Sequence, residues 1–271
     1  MRILVFNDYC VVGNMALKAN ISVLTQNGHE VIGVPTKIFS SNMSYKDYIS
    51  FNIPNFSETV QKVLEIKKVD AIYIGFIDND EVFVIIKEIL QNFKGKVILD
   101  PILGDNGIKY SGTTAKQISF YRELLNFADV VTPNLTEAIL LTDYKKVFSK
   151  IEREDVEKIA KKLAEMGAKL VIIKSFEEKN KLNTFSFCEN SIKWFESEKV
   201  DIKICGTGDV FSSLVASELI KGENVASELI KGENLEYSID EIQNLITENI
   251  RKQEKQDGLN EIQLENFKIG G

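Results

Sequence analysis

The run Gly206-Thr207-Gly208-Asp209 opens an apolar helical stretch. Backbone N–H groups at a helix N-terminus form an anion site, and glycine lets a phosphate approach closely. Gly206, Thr207 and Gly208 are therefore candidates for an anion hole, with Asp209 as a base beside it. In phosphoryl transfer a carboxylate takes the acceptor hydroxyl's proton while such donors stabilise charge on the transferring group. The helix dipole also favours an acid in a first turn without any chemistry. No G-x-x-x-x-G-K-[ST] run occurs, which excludes a P-loop kinase.

Three further segments fall at predicted strand ends. Asn7-Asp8-Tyr9-Cys10-Val11-Val12-Gly13-Asn14 reads as a substrate loop or as a plain strand-to-helix turn, with Asp8 a pocket-reaching acid or an exposed turn acid. Asp100-Pro101-Ile102-Leu103-Gly104-Asp105-Asn106-Gly107, followed by Tyr110, offers two carboxylates and two glycines. That set suits Mg²⁺, which prefers oxygen ligands and keeps waters; helix-capping acids in a Gly-rich loop read the same way. Thr132-Pro133-Asn134-Leu135-Thr136-Glu137 fits a capping box, and equally a Glu137 near a hydrated metal.

Composition narrows the classes. The chain has 271 residues, with 33 Lys+Arg against 40 Asp+Glu and a net charge of −7. With no clustered basic run, neither nucleic acid nor an anionic membrane surface is an expected partner. A single histidine, His29, excludes multi-His metal sites, and three cysteines without Cys-x-x-Cys spacing point to a reducing compartment. No apolar run approaches the ~18–20 residues of a membrane span. The expected location is the cytoplasm.

The elements that must hold these segments alternate. Strands are expected at Ile3–Phe6, Val31–Val34, Ala71–Ile74, Lys96–Leu99, Asp129–Val131 and Leu170–Ile173. Helices are expected at Met15–Leu24, Phe56–Lys67, Val82–Phe93, Thr113–Asn126, Leu135–Leu141, Asp155–Met166, Val210–Lys221 and Ser238–Ile250. Asn183–Cys188 and Ser191–Phe195 read as a hairpin, and the stretch from about Lys252 on as polar and weakly patterned. This alternation predicts an α/β fold, one domain over 1–271, with a mostly parallel central sheet and helices on both faces. Such sheets bind ligands at the carboxyl ends of their strands.

VASELIKGEN at 215–224 recurs at once as 225–234. Ten residues of helix end roughly 80° short of three full turns and ~15 Å further on, so one continuous helix would aim its apolar face wrongly. Gly222 offers a stop after the first copy. The first copy is expected to complete the helix with Leu214, Val215 and Leu219 facing the sheet, and the second to form a surface excursion.

Together and in this order, NDYCVVGN, DPILGDNGIKY, TPNLTEA and GTGDVFSS resemble the ribokinase-like superfamily, and within it the pyridoxal (vitamin B6) kinases. The resemblance spans residues 7–213. It implies the ribokinase-like fold and a kinase that uses ATP and Mg²⁺ to phosphorylate the hydroxymethyl group of a pyridine. It puts the base at Asp209 and the anion hole at Gly206, Thr207 and Gly208. Metal contacts would fall on Asp100 and Glu137, and nucleotide contacts on Asp100, Thr132, Asn134, Glu137, Lys174 and Ser175. The substrate side would fall on Asp8, Thr36, Asn42 and Asp209. A homodimer is one assembly it implies. Two substrate-side segments depart from the pattern: Phe39–Tyr45, with Asn42 where a histidine is common, and Gly75–Asn79. A hydroxymethylpyrimidine-type kinase and a non-catalytic nucleotide- or B6-binding relative are the alternatives.

Overall fold

The computed structural model describes residues 1–43, 45, 47–202, 204–221, 233–253 and 260–269. In chain order the elements are β1 (Arg2–Cys10), α1 (Leu17–Gln26), β2 (Glu30–Phe39), β3 (Ser50–Asn52), α2 (Phe56–Ile66), β4 (Ala71–Ile74), α3 (Asp80–Asn92), β5 (Lys96–Leu99), β6 (Gly104–Asp105), β7 (Ile108–Lys109), α4 (Ala115–Leu124), β8 (Val130–Val131), α5 (Leu135–Thr142), α6 (Arg153–Glu165), β9 (Leu170–Glu178), β10 (Lys181–Cys188), β11 (Ser191–Glu198), β12 (Ile204–Cys205), α7 (Thr207–Lys221), α8 (Glu233–Lys252) and β13 (Asn260–Glu261).

Nine strands form one sheet in the order β11-β10-β9-β8-β5-β4-β1-β2-β3. The six central strands pair in parallel, and β3 at one edge and β10-β11 at the other are antiparallel. The expected α/β architecture is what the structure has. Strands buried on both faces read as unbroken apolar runs. In β1, Leu4 and Phe6 join a core with α2–α6, while Ile3 and Val5 join one with α1, α7 and α8. Leu214, Val215 and Leu219 of α7 lie in the second core, as expected. The chain leaves β1 for β2 on one side and returns to β4 on the other. The β1/β4 boundary is thus the switch point, where such sheets open a ligand crevice at the carboxyl edge.

Several boundaries differ from the sequence reading. β1 runs on to Cys10, so Asp8 lies within a strand rather than in a turn after it, and Asn7 pairs with Pro35 of a similarly lengthened β2. The polar pair in β1 hid this continuation. β3 was not expected; it is short and wholly exposed, without an apolar signature. β9 extends through Glu178 because Lys174 and Ser175 together oppose Thr184, a β-bulge with Ser175 at φ 65°. In the Gly104–Lys109 segment, Asn106 (φ 50°) and Gly107 (φ 78°) turn the β6-β7 hairpin. The tail past Lys252 does carry structure. β13 pairs with β12, and Leu264–Ile269 docks on α1: Gln26 donates to Leu264 O at 2.6 Å and Asn27 to Phe267 O at 2.6 Å. Most of the second decapeptide copy lies outside the described residues; Glu233 and Asn234 begin α8. No described helix is long and apolar enough to cross a membrane.

Candidate active site

Asp209 is the third residue of α7, half-buried, and its Oδ2 accepts from Ala16 N at 3.0 Å. Burial and then the Asp100 charge push its carboxyl up to about 6, against the donor at Ala16. Gly206 precedes the helix at φ 90°, and a Cβ there would meet Asn14 O at 2.7 Å, so no other residue fits the turn. Thr207 and Gly208 form the first turn of a 15-residue helix, where N–H groups lack intrahelical acceptors. A Cβ on Gly208 would lie 3.5 Å from Lys174 Nζ.

Asp8 is buried on β1. Burial, then the charge of Asp209, pushes it up to about 7. Its Oδ2 accepts from Cys10 Sγ at 3.4 Å. Asn7, fully buried, accepts at Oδ1 from Asp8 N and Phe76 N, both at 2.9 Å, and donates to Asn20. A Cβ on Gly75 would stand 2.3 Å from that Oδ1, so Gly75 makes room for the Asn7 side chain. Beside Asp8, Phe39 meets Phe76 edge-on at 5.5 Å and Tyr48 at 5.7 Å, in a small apolar cluster with Cys10, Met15 and Ala16. Thr36 is 1% exposed and its Oγ1 has no hydrogen-bond partner. The neighbouring Lys37 pairs with Asp78.

A second group sits across the sheet edge. Lys174 Nζ donates to Asp100 Oδ1 at 2.9 Å, to Ser212 Oγ at 2.8 Å and to Gly208 O at 3.3 Å. Thr132 donates to Asp100 Oδ1 at 3.0 Å and Tyr73 to Oδ2 at 2.7 Å. The β9 bulge delivers Lys174, whose N–H bonds Pro133 O at 3.0 Å. Asn134 caps α5 by accepting from Glu137 N at 3.0 Å, and Glu137 returns the bond at 2.8 Å from Asn134 N. The capping-box reading is therefore realised. Glu137 also accepts from Leu103 N at 3.2 Å, and burial pushes it up to about 8.

The structure brings Asp8, Asp100, Lys174, Asp209 and the Gly206–Gly208 turn to one sheet edge. Thr132 is fully buried beneath Asp100. Asn42 lies in the β2–β3 loop, and Ser175 is exposed on the bulge directly after Lys174. Sequence reasoning passed over Asn7, Ala16, Tyr73 and Ser212. Asn7 carries a signal, a carboxamide in an apolar strand; Ala16 carries none, because it acts through its backbone.

A family model for phosphomethylpyrimidine kinase matches residues 16–263. The chloroplastic thiamine biosynthetic bifunctional enzyme TH1 of Arabidopsis thaliana is 26% identical over 216 residues, which cover 77% of this chain and 40% of that protein. The chain thus spans less than half the length of that relative. A hydroxymethylpyrimidine/phosphomethylpyrimidine kinase of Staphylococcus aureus is 28% identical over 220 residues, 78% of this chain and 77% of that one. A solved structure from Bacteroides thetaiotaomicron, crystallised with pyridoxal, superposes with a TM-score of 0.83 at 24% identity, covering 94% of this chain and 90% of that one. Because the family model matches residues 16–263 of the 271, the chain belongs to the phosphomethylpyrimidine kinase family.

Proposed function

We propose that the chain is an ATP-dependent kinase for the hydroxymethyl group of a vitamin B6 vitamer, with Asp209 as general base. The observation that carries this reading is Asp209 itself, a carboxyl raised to about 6, held by Ala16 N–H in the first turn of α7. A base works best with its pKa near the operating pH. An ionised carboxylate has about four lone-pair sites, so the bond from Ala16 leaves capacity for an acceptor hydroxyl. The hydroxyl would lose its proton to Asp209 as its oxygen attacks the γ-phosphate, while N–H groups of Gly206, Thr207 and Gly208 stabilise the charge on the transferring group.

Asp8, Thr36 and Asn42 would form the substrate side. The Phe39–Phe76–Tyr48 cluster suits a planar ring, Asp8 a protonated ring nitrogen, and the unpartnered Thr36 hydroxyl a ring substituent. Asn134, Glu137, Thr132, Lys174 and Ser175 would serve the nucleotide. Lys174 is 8% exposed, so it would meet a phosphate only by exchanging one of its three present partners.

The donor set fits Mg²⁺ held through water. No group of three or more His, Cys, Asp or Glu converges among the described residues. Asp100 and Glu137 already accept hydrogen bonds at both oxygens, with lone pairs left for metal-bound waters. When bound with the nucleotide, the ion would neutralise phosphate charge.

The family match supports a second reading, in which the acceptor is a hydroxymethylpyrimidine. Release of ADP from ATP, followed with pyridoxal, pyridoxine, pyridoxamine and hydroxymethylpyrimidine in Mg²⁺ and then in excess EDTA, tests both. The proposal predicts Mg²⁺-dependent turnover, fastest with a B6 vitamer. Turnover with the pyrimidine alone would favour the second reading; turnover with none would leave a binding relative.

A further inference from the structure

Three segments far apart in sequence meet at Asp209: the Gly13–Ala16 turn, the Cys205–Gly208 turn and the β13 strap. β13 lies parallel to β12 with Glu261 opposite Cys205, and Ile262 N bonds Cys205 O at 3.1 Å. From that position Glu261 Oε2 accepts from Asn14 N at 3.1 Å. The contact is tight. A Cβ on Gly13 (φ 115°) would meet Glu261 Oε1 at 2.9 Å, and one on Gly206 would stand 3.0 Å from Ile262. Two residues beyond Asn14, Ala16 adopts φ 53°, ψ −132°, a region that residues with a Cβ rarely visit. That conformation aims the Ala16 N–H at Asp209 Oδ2. Strained backbone persists where its surroundings over-determine it. Here the surroundings are a closed ring: Glu261 to Asn14, Ala16 to Asp209, and Asp209 back through Cys205 to Glu261.

We propose that Glu261 is a positioning residue for Asp209, its carboxylate holding the Asn14–Ala16 turn so that the Ala16 N–H meets Asp209. This rests on the reading of Asp209 as general base. Beyond the Ala16 donor, Asp209 is faced by Asn7 and Asp8 from β1, Asp100 following β5 and Lys174 from β9. Loss of the Ala16 bond removes a donor that favours the ionised carboxylate.

The test is kcat, KM and the pH profile of Glu261→Ala and Glu261→Gln, with the Ala16 amide followed by NMR across the Asp209 titration. Glu261→Ala is expected to lower kcat by roughly 10- to 100-fold, the scale of a small misplacement of a reacting group, with KM for ATP within about twofold. Its acid limb should move up by roughly half a pH unit or more, and the Ala16 amide should no longer sense the titration. Glu261→Gln, whose amide oxygen still accepts from Asn14 N, should regain most of kcat. An Ala variant with wild-type kcat, acid limb and Ala16 response overturns the proposal, as does a Gln variant no better than Ala. If the Ala variant does not fold, Glu261→Asp, one methylene short of Asn14, is read in the same way. The amide readout needs no substrate, so it separates this link from the choice of base: were Asp209→Asn to keep turnover, the Ala16 response would still report whether Glu261 sets the turn.

Discussion

The Asp100 cluster and the Asp8–Asp209 pair share one sheet edge and are built in opposite ways. Around Asp100, the carboxylate is answered by Lys174, Thr132 and Tyr73, and Lys174 in turn by Ser212 and Gly208 O. Among the described residues neither Asp8 nor Asp209 forms a salt bridge, although Lys174 acts on Asp209 through its charge; each is desolvated, and the Asp209 charge raises Asp8 further. Buried polar groups normally find partners because leaving them unpaired is costly. The compensated cluster ties α7 to the sheet, through Lys174 to Gly208 O and Ser212 and through Thr132 to Ser212. The Asp8–Asp209 pair carries a desolvation cost that a proton on either carboxyl relieves.

The comparison can be broken most severely at Asp209. Asp209→Asn should lower kcat by roughly 10²–10⁴-fold, the usual range for loss of a general base, with nucleotide affinity nearly unchanged by calorimetry. Near-normal turnover would remove it from the mechanism. Next comes the compensated side. Lys174→Met leaves Asp100 buried without its cation and should destabilise the fold by about 3–5 kcal/mol, measured by denaturant unfolding. A loss below ~1 kcal/mol would mean that the cluster is not structural.

Acid should act on the pair through catalysis. As the proposed base Asp209 must be ionised to accept a proton, so kcat should fall about tenfold per pH unit below about 6. A profile flat down to pH 5 would contradict this. The pair's cost to stability has the opposite sign from that of a salt-bridged acid. Asp8 is raised from 3.8 to about 7, so between those values the folded state binds more protons than the unfolded state. Stability then falls as pH rises across that window, and the full cost is present above it. Asp8→Asn removes that cost and should raise stability at pH 8 by at most about 4 kcal/mol, with little change near pH 4. The same variant should weaken heterocycle binding and spare MgATP.

The smallest effect is expected at the duplication. Deleting 225–234 leaves a chain in which the first copy's Gly222-Glu223-Asn224 run leads directly into Leu235. If the second copy is the surface excursion expected from the sequence, shortening it changes closure free energy by under ~1 kcal/mol, so melting and turnover should stay close to wild type.

The sheet core was legible because strands buried on both faces are unbroken apolar runs, as Ala71–Ile74 and residues 97–99 of β5 are. The Gly206–Asp209 turn was legible because its glycines stand directly before an apolar helix. Polar strands were not. Asn7 and Asp8 read as a turn, yet they continue β1, which pairs on with the lengthened β2 while Asn7 accepts from Phe76 N. The Leu264–Ile269 strap was missed because much of its hold comes from side chains of α1 bonding its backbone, a pairing with no local pattern. Ala16 was invisible for a related reason: its contribution is a main-chain N–H aimed by an unusual φ/ψ.

The contrast between the two regions is read most directly from the side-chain carboxyl titrations of the intact protein by ¹³C NMR, with Asp8→Asn and Asp209→Asn assigning the signals. The account predicts that the Asp8–Asp209 pair titrates at about 6 to 7, and that removing the Asp209 charge lowers the Asp8 midpoint. Both carboxyls titrating below 5, each indifferent to the other's substitution, would contradict it.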